Sequence, residues 1–235
     1  MSRVRAVMHQ RWHDLLFAHW PLPAGALDGR LPPGLRPDSF DGRPWLGVVP
    51  FRMSGVRLAG LPPLPGSGAF PELNVRTYVR HGDQPGVWFF SLDARSRLAV
   101  EVARRWFGLP YFRAAMRCDP DGDDVRYASR RLDPRGPPAE LRARYGPTGP
   151  PATATAGSLD DFLTNRLVLF ALDRRGRLVR GDIEHACWPL QPAHAELELN
   201  TMASALGLPL HGPPASLLFA RRLDVRIGAP RLVAC

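Results

Sequence analysis

The chain has 235 residues, 45% of them hydrophobic and 23% charged, an ordinary balance for a globular protein with a sizeable core. Its net charge is +9, and all 31 basic residues are arginine, so no side-chain amine is available as a nucleophile. The arginines stand singly or in pairs such as Arg104-Arg105 and Arg221-Arg222, mostly near Asp or Glu. With no basic run and no recognition motif, the excess reads as arginine in place of lysine and argues against a nucleic-acid groove.

Cys118, Cys187 and Cys235 match neither zinc-ribbon nor thioredoxin spacing, and a sparse, odd count suits a reducing compartment. Residues 1–20 carry charges and histidines throughout and lack the apolar centre of a signal peptide. No apolar stretch approaches the roughly 20 residues of a membrane span. These features together predict a soluble cytoplasmic protein with no membrane partner. The oligomeric state is left open, a homo-oligomer included.

Proline and glycine recur about every ten residues, a spacing that suits many short strands. Residues 45–57 are rich in strand formers, and Pro50 within them demands an edge or a bulge. Residues 62–68 read as a loop. Residues 72–80 alternate strictly, with Leu73, Val75, Thr77 and Val79 on one face and Glu72, Asn74, Arg76, Tyr78 and Arg80 on the other. A turn at 81–86 and an apolar strand at 87–93 complete a hairpin. Residues 96–107 form the best helix, capped by Ser96, with Leu98, Val102 and Trp106 at helical spacing and Gly108 at its end. Strands at 113–118 and 125–132 flank an acidic turn, and another is expected at 140–145. Residues 147–157 (PTGPPATATAG) read as a long surface loop within one domain spanning 1–235. A capped helical turn begins at Ser158, a second hairpin covers 166–172 and 177–183, a short helix covers 201–206, and 216–227 is a closing strand. The expected class is mainly β (α+β): a twisted antiparallel barrel or cone with a few short helices.

The polar row on 72–80 is the first candidate site. Alternate strand residues lie roughly 6.8 Å apart on one face. On a solvent-facing strand the row would be ordinary; inside a barrel it would put a carboxylate, an amide and a guanidinium into a cavity. There Arg76 could clamp a carboxylic acid, Asn74 could bind it, and Glu72 could move a proton. Arg52 and Trp88, on flanking strands, are further ligand-binding candidates. Tyr111, with Glu72 a catalytic candidate, could donate a hydrogen bond into the pocket or act as an acid, or it is a core tyrosine with a satisfied hydroxyl. His9 and His13 could share a helix face, but no spacing matches a metal site, and neither metal nor cofactor is expected.

Seven segments together resemble a known family: WHDLLFAHWP (12–21), FDGRPWLGVVPFRM (40–53), FPELNVRTY (70–78), GVWFFSLDA (86–94), LPYFRA (109–114), YGPTGP (145–150) and WPLQP (188–192). The chain resembles the YqjF-like family, a bacterial domain of unknown function, over nearly its whole length. That family is distantly similar to acetoacetate decarboxylase, which implies a barrel enclosing a ligand cavity. The decarboxylase forms its Schiff base on a lysine of a Pro-Lys-Lys motif, and those positions fall here on Tyr111 and Phe112. The resemblance makes Glu72 the counterpart of a cavity glutamate, while Asn165 stands where the family pattern has a glutamate. The fold can carry over; that mechanism cannot. Three readings follow: a binder of a small organic acid or carbonyl compound, a lysine-independent lyase or isomerase on such an acid, and an arginine-rich anion or nucleic-acid binder.

Overall fold

The computed structural model describes residues 5–60, 68–208 and 210–233. In chain order the elements are Ala6–Pro21 (β1), Arg36–Pro37 (β2), Ser39–Phe40 (β3), Arg43–Leu58 (β4), Phe70–His81 (β5), Gln84–Ala94 (β6), Arg97–Phe107 (α1), Tyr111–Asp121 (β7), Asp124–Arg131 (β8) and Glu140–Pro147 (β9). They continue with Leu159–Thr164 (α2), Val168–Leu172 (β10), Leu178–His185 (β11), Gln191–Asn200 (β12), a 3-10 turn at Ser204–Leu206, Ser216–Gly228 (β13) and Arg231–Leu232 (β14). The loop expected at 62–68 lies, apart from Gly68, outside the described residues.

The strands form one sheet that closes on itself twice. A wall of five adjacent strands runs β6-β5-β4-β1-β13. Each end strand of this wall divides its free edge between two partners. β6 pairs with β10 through Val87 and Trp88, and with β7 through Leu92, Asp93 and Ala94. β13 pairs with β11 near Val225, and with β12 at Leu218 and Phe219. Strands β7, β8, β9 and β12 therefore close a nine-stranded barrel on one side of the wall. On the other side β10 and β11 close a smaller ring. The expected barrel is present, with one difference: both ladders on the outer edge of β6 are parallel. The rest of the barrel's pairings are antiparallel.

Because the wall has a lumen on each side, its strands are apolar on both faces, and the two-residue pleat sorts their side chains. Phe17, Trp45, Val49, Phe51 and Tyr78 join the core of the smaller ring. Their sequence neighbours Leu16, Ala18, Leu46 and Val48 join the core of the nine-stranded barrel, as does Val75 of β5. Pro50 sits in the stretch where the β1–β4 ladder slips between His13/Arg52 and Ala18/Val48, so its missing N–H is lost where no β1 partner is paired.

Besides the two-residue strands β2, β3 and β14, two long strands are absent from the sequence reading. Residues 6–21 form a long strand, so His9 and His13 share no helix face; His13 Nε2 instead bonds Ser54 Oγ at 2.8 Å. β12 is the other, in a stretch that carries no strand pattern. The helices follow their caps. Ser96 Oγ accepts from Ala99 N, and Gly108 ends α1 in the left-handed region at φ +65, where a Cβ would collide with the Leu172 carbonyl. Ser158 caps α2. Within the 147–157 loop, Ala152 bridges Leu190 in both directions, so the loop is pinned to the barrel.

Candidate functional site

The smaller lumen is hollow. A cavity of about 290 Å³ is walled by aromatic and aliphatic groups, among them Trp12, Phe51, Phe89, Phe107 and Trp188. The alternating face of β5 supplies its polar groups: Glu72, Asn74 and Arg76 all line it. The pleat that sends Leu73 and Val75 into the packed lumen sends these three into the hollow one.

β4 and β5 pair Gly47 with Arg76, Val49 with Asn74, Phe51 with Glu72 and Met53 with Phe70. Arg76 therefore lies at one end of the row and Glu72 further along. Beyond Glu72 come Phe70 and Met53, then Leu58 and Met8, which pair with each other and also line the cavity. Helix α1 follows directly on Ala94, the partner of Glu72, and covers this second end. Leu98, Val102 and Trp106, one stripe of α1, line the cavity there, yet Leu98 is 67% and Trp106 63% exposed. This end is the mouth.

At the deep end Arg76 lies over the rings of Phe17 and Tyr78, 5.4 and 5.8 Å from their centres. One of its Nη atoms donates to the Leu163 carbonyl at 3.1 Å, and its buried Nε has no partner. Leu163 O also accepts from the Tyr78 hydroxyl at 2.7 Å. Since Tyr78 uses its proton there, it accepts from His19 Nε2–H at 2.7 Å, and the buried His19 Nδ1 has no partner. Burial and the nearby Arg76 charge both hold His19 well below its ordinary range. These bonds tie down the last turn of α2, whose carbonyls also receive Trp188 Nε1 and Arg166 Nε. Arg166 lines the cavity too, but its charge is met by Asp38 at 2.7 Å. Among the described residues Arg76 has no carboxylate within ion-pair distance.

Midway along the cavity, Glu72 is only 3% exposed and accepts a hydrogen bond from the Tyr111 hydroxyl at 2.9 Å. Burial pushes its carboxyl up to about 8, opposed only by that bond. Glu72 is therefore mostly protonated at neutral pH. Its own burial and the nearby carboxyl raise Tyr111 well above the usual phenol range. Asn74, 5% exposed between Glu72 and Arg76, has an amide oxygen with no partner. His185, also on the wall, bonds the Ala186 carbonyl through Nδ1 at 2.7 Å, so its Nε2 is the unprotonated nitrogen; burial and Arg76 lower its pKa.

The structure thus brings Glu72, Asn74, Arg76 and Tyr111 together and sets two expected site residues apart. Arg52 follows Phe51 and is turned by the pleat to the opposite face of β4, where it pairs with Asp14 at 3.1 Å. Trp88, between Val87 and Phe89, likewise faces away and packs beside Val79, Val168 and Phe170. Asn165 caps α2 and donates to Asp161 Oδ1, away from the cavity wall. Arg166 and His185 carry no signal in the sequence that marks them as site residues. They come from segments far from β5, and only closure of the ring brings them in.

A family described as an uncharacterized conserved protein, DUF2071, matches residues 9–224. This chain belongs to the YqjF-like DUF2071 family. A similar family member is the uncharacterized protein YqjF of Bacillus subtilis strain 168, 42% identical over 219 residues, covering 93% of this chain and 89% of that protein. Acetoacetate decarboxylase from Legionella pneumophila has the same fold as this DUF2071 chain, with a TM-score of 0.67 at 14% identity over 100% of this chain and 90% of that one. The enduracididine biosynthesis enzyme MppR complexed with pyruvate aligns with a TM-score of 0.65 at 13% identity, over 100% and 92%. An acetoacetate decarboxylase-like enzyme from Sphingomonas wittichii RW1 gives 0.64 at 17%, over 98% and 94%. Of the two positions that the resemblance maps to the decarboxylase lysines, Tyr111 faces the cavity and Phe112 lies under the Arg131 guanidinium, 4.3 Å from its ring centre.

Among the described residues no helix is long and apolar enough to cross a membrane, and no group of three or more His, Cys, Asp or Glu side chains could hold a metal ion. A second depression, about 390 Å³, lies on the outer face of β7–β9 and β12. Three of its arginines are met by acids, in Arg126–Asp121, Arg142–Glu198 and Arg144–Asp121.

Proposed function

We propose that this protein binds a small organic acid in the cavity, with the carboxylate held by Arg76 and no imine formed. The observation that carries the reading is Arg76: a guanidinium in an apolar cavity, with an unpartnered Nε and no carboxylate beside it among the described residues. A desolvated cation is costly unless an anion meets it, and the planar fork of arginine suits a carboxylate. Asn74 offers a free amide atom along the same wall. The fold neighbours whose names include acetoacetate decarboxylase and a pyruvate complex are consistent with a small acid or carbonyl ligand.

A second reading adds chemistry to binding. Glu72, kept protonated by burial and bonded to Tyr111, is a proton donor inside the cavity. It supports lysine-independent lyase or isomerase chemistry, with Glu72 as acid and Tyr111 orienting its carboxyl.

The test is a thermal-shift screen of small carboxylates and ketones on wild type and Arg76→Ala. A ligand at a hundredfold excess over its Kd stabilises by about 2.7 kcal/mol. Carboxylate hits should disappear in Arg76→Ala; hits that persist unchanged there discard the clamp.

A further inference from the structure

The cavity also carries information about the length of its ligand. Arg76 and Glu72 are four residues apart on one strand, so their Cα atoms are separated by roughly 13 Å. Arg76 leans further away, toward Phe17, Tyr78 and the Leu163 carbonyl. Its charge is felt by His19, Tyr78 and His185, whereas Glu72 answers to burial and Tyr111. A carboxylate seated on Arg76 therefore cannot have its adjacent carbonyl at Glu72. Between the two polar stations the wall carries the Asn74 amide and otherwise apolar side chains, and it runs on through Phe51, Phe89 and Leu92 to Phe70 and Val102. At the mouth, Leu98 and Trp106 are apolar side chains of the same cavity left largely in water. A soluble protein rarely exposes such a stripe without something to cover it.

We infer that the ligand is an amphiphilic monocarboxylic acid: a carboxylate at Arg76, an apolar chain running past the hydrogen-bonded Glu72–Tyr111 pair, and a tail that covers the Leu98–Trp106 stripe of α1. The inference rests on the carboxylate clamp proposed above and goes further than a short keto acid. A protonated carboxyl at mid-chain suits the class, because it leaves no second charge against the hydrocarbon and can donate to a hydroxyl or carbonyl there. An apolar chain gains affinity with each buried methylene, about tenfold for every two carbons.

The test is a binding series of acetate, butyrate, octanoate, dodecanoate and tetradecanoate, with octanol and pyruvate as controls, read by calorimetry on wild type, Arg76→Ala and Trp106→Ala. The thermal midpoint of each variant without ligand verifies folding. Affinity is expected to rise steeply with chain length, to exceed that of pyruvate, and to fall at least tenfold in Arg76→Ala. Trp106→Ala should shrink the gain from octanoate to tetradecanoate. If acetate or pyruvate binds as tightly as octanoate and still needs Arg76, the long-chain inference is overturned while the clamp stands. If octanol binds as well as octanoate and Arg76→Ala changes neither, the clamp is overturned and the inference with it. No binding by any acid overturns both.

Discussion

Glu72 and Asp93 are both buried carboxyls on one pair of strands, and they differ in what faces them. Leu73 pairs with Asp93 across the β5–β6 ladder, so Glu72 and Asp93 lie one residue out of step and on opposite faces of the wall. Asp93 enters the packed lumen and meets Arg131 at 2.8 Å, with both side chains almost fully buried. Burial lifts its carboxyl and the Arg131 guanidinium opposes the lift, so it ends at about 6 and is mostly ionised at neutral pH. Glu72 enters the hollow lumen, meets only a phenol and stays protonated. The arginines divide the same way: Arg131 is matched by Asp93, whereas Arg76 lacks a carboxylate among the described residues. A buried charge matched inside the chain is part of the structure. One left unmatched on a cavity wall points to something that enters from outside.

If this contrast is right, substitutions on the two sides behave differently. The largest effect is expected from Arg131→Met, which leaves Asp93 buried and unpaired and should cost about 3–5 kcal/mol in urea denaturation. That deficit should shrink in acid, because Asp93 is neutral below its native pKa and no charge is then stranded. Next is Glu72. Its native pKa lies above the ordinary 4.5, so the native state binds the extra proton between about 4.5 and 8, and stability falls as pH rises through that window. Glu72→Gln should abolish that fall and stand a few kcal/mol above wild type at pH 9, on the order of 1.4 kcal/mol for each tenfold difference in proton affinity between the folded and unfolded chain; parallel stability–pH curves would contradict it. Tyr111→Phe removes the one bond that lowers Glu72, so it should cost about 1 kcal/mol and move the Glu72 titration further up. The smallest effect belongs to Arg76→Met, expected within about 1 kcal/mol of wild type without ligand, since an unmatched cation is exchanged for an apolar chain over the same rings.

The sequence told more about elements than about closure. The alternation in 72–80, the Ser96 and Ser158 caps, the hairpins and the bulge at Pro50 were all readable, because each rests on neighbours a few residues apart. The strand at 6–21 was hidden by its two-sided environment: with Leu15, Leu16, Phe17 and Ala18 all buried, it shows no alternation. β12 was hidden by its histidine, proline and glutamates. The parallel edges of β6 have no local signal. The same division holds for the site. Glu72, Asn74 and Arg76 were visible as a polar row on one face, although the row alone could not show which side of the sheet is solvent. Arg52 and Trp88 have suitable chemistry, but each lies next to inward residues and so points the other way. Arg166 and His185 reach the cavity only because β10 and β11 close the smaller ring.

On this account Arg76 lacks an internal partner because its partner is a ligand carboxylate. Calorimetric titration of octanoate into wild type and Arg76→Met tests that claim most directly. Saturable binding of one octanoate per wild-type chain is predicted, with at least a tenfold loss in a variant that remains folded with nearly unchanged urea stability. Equal affinity in both proteins, or an Arg76→Met chain as destabilised as Arg131→Met, would contradict it.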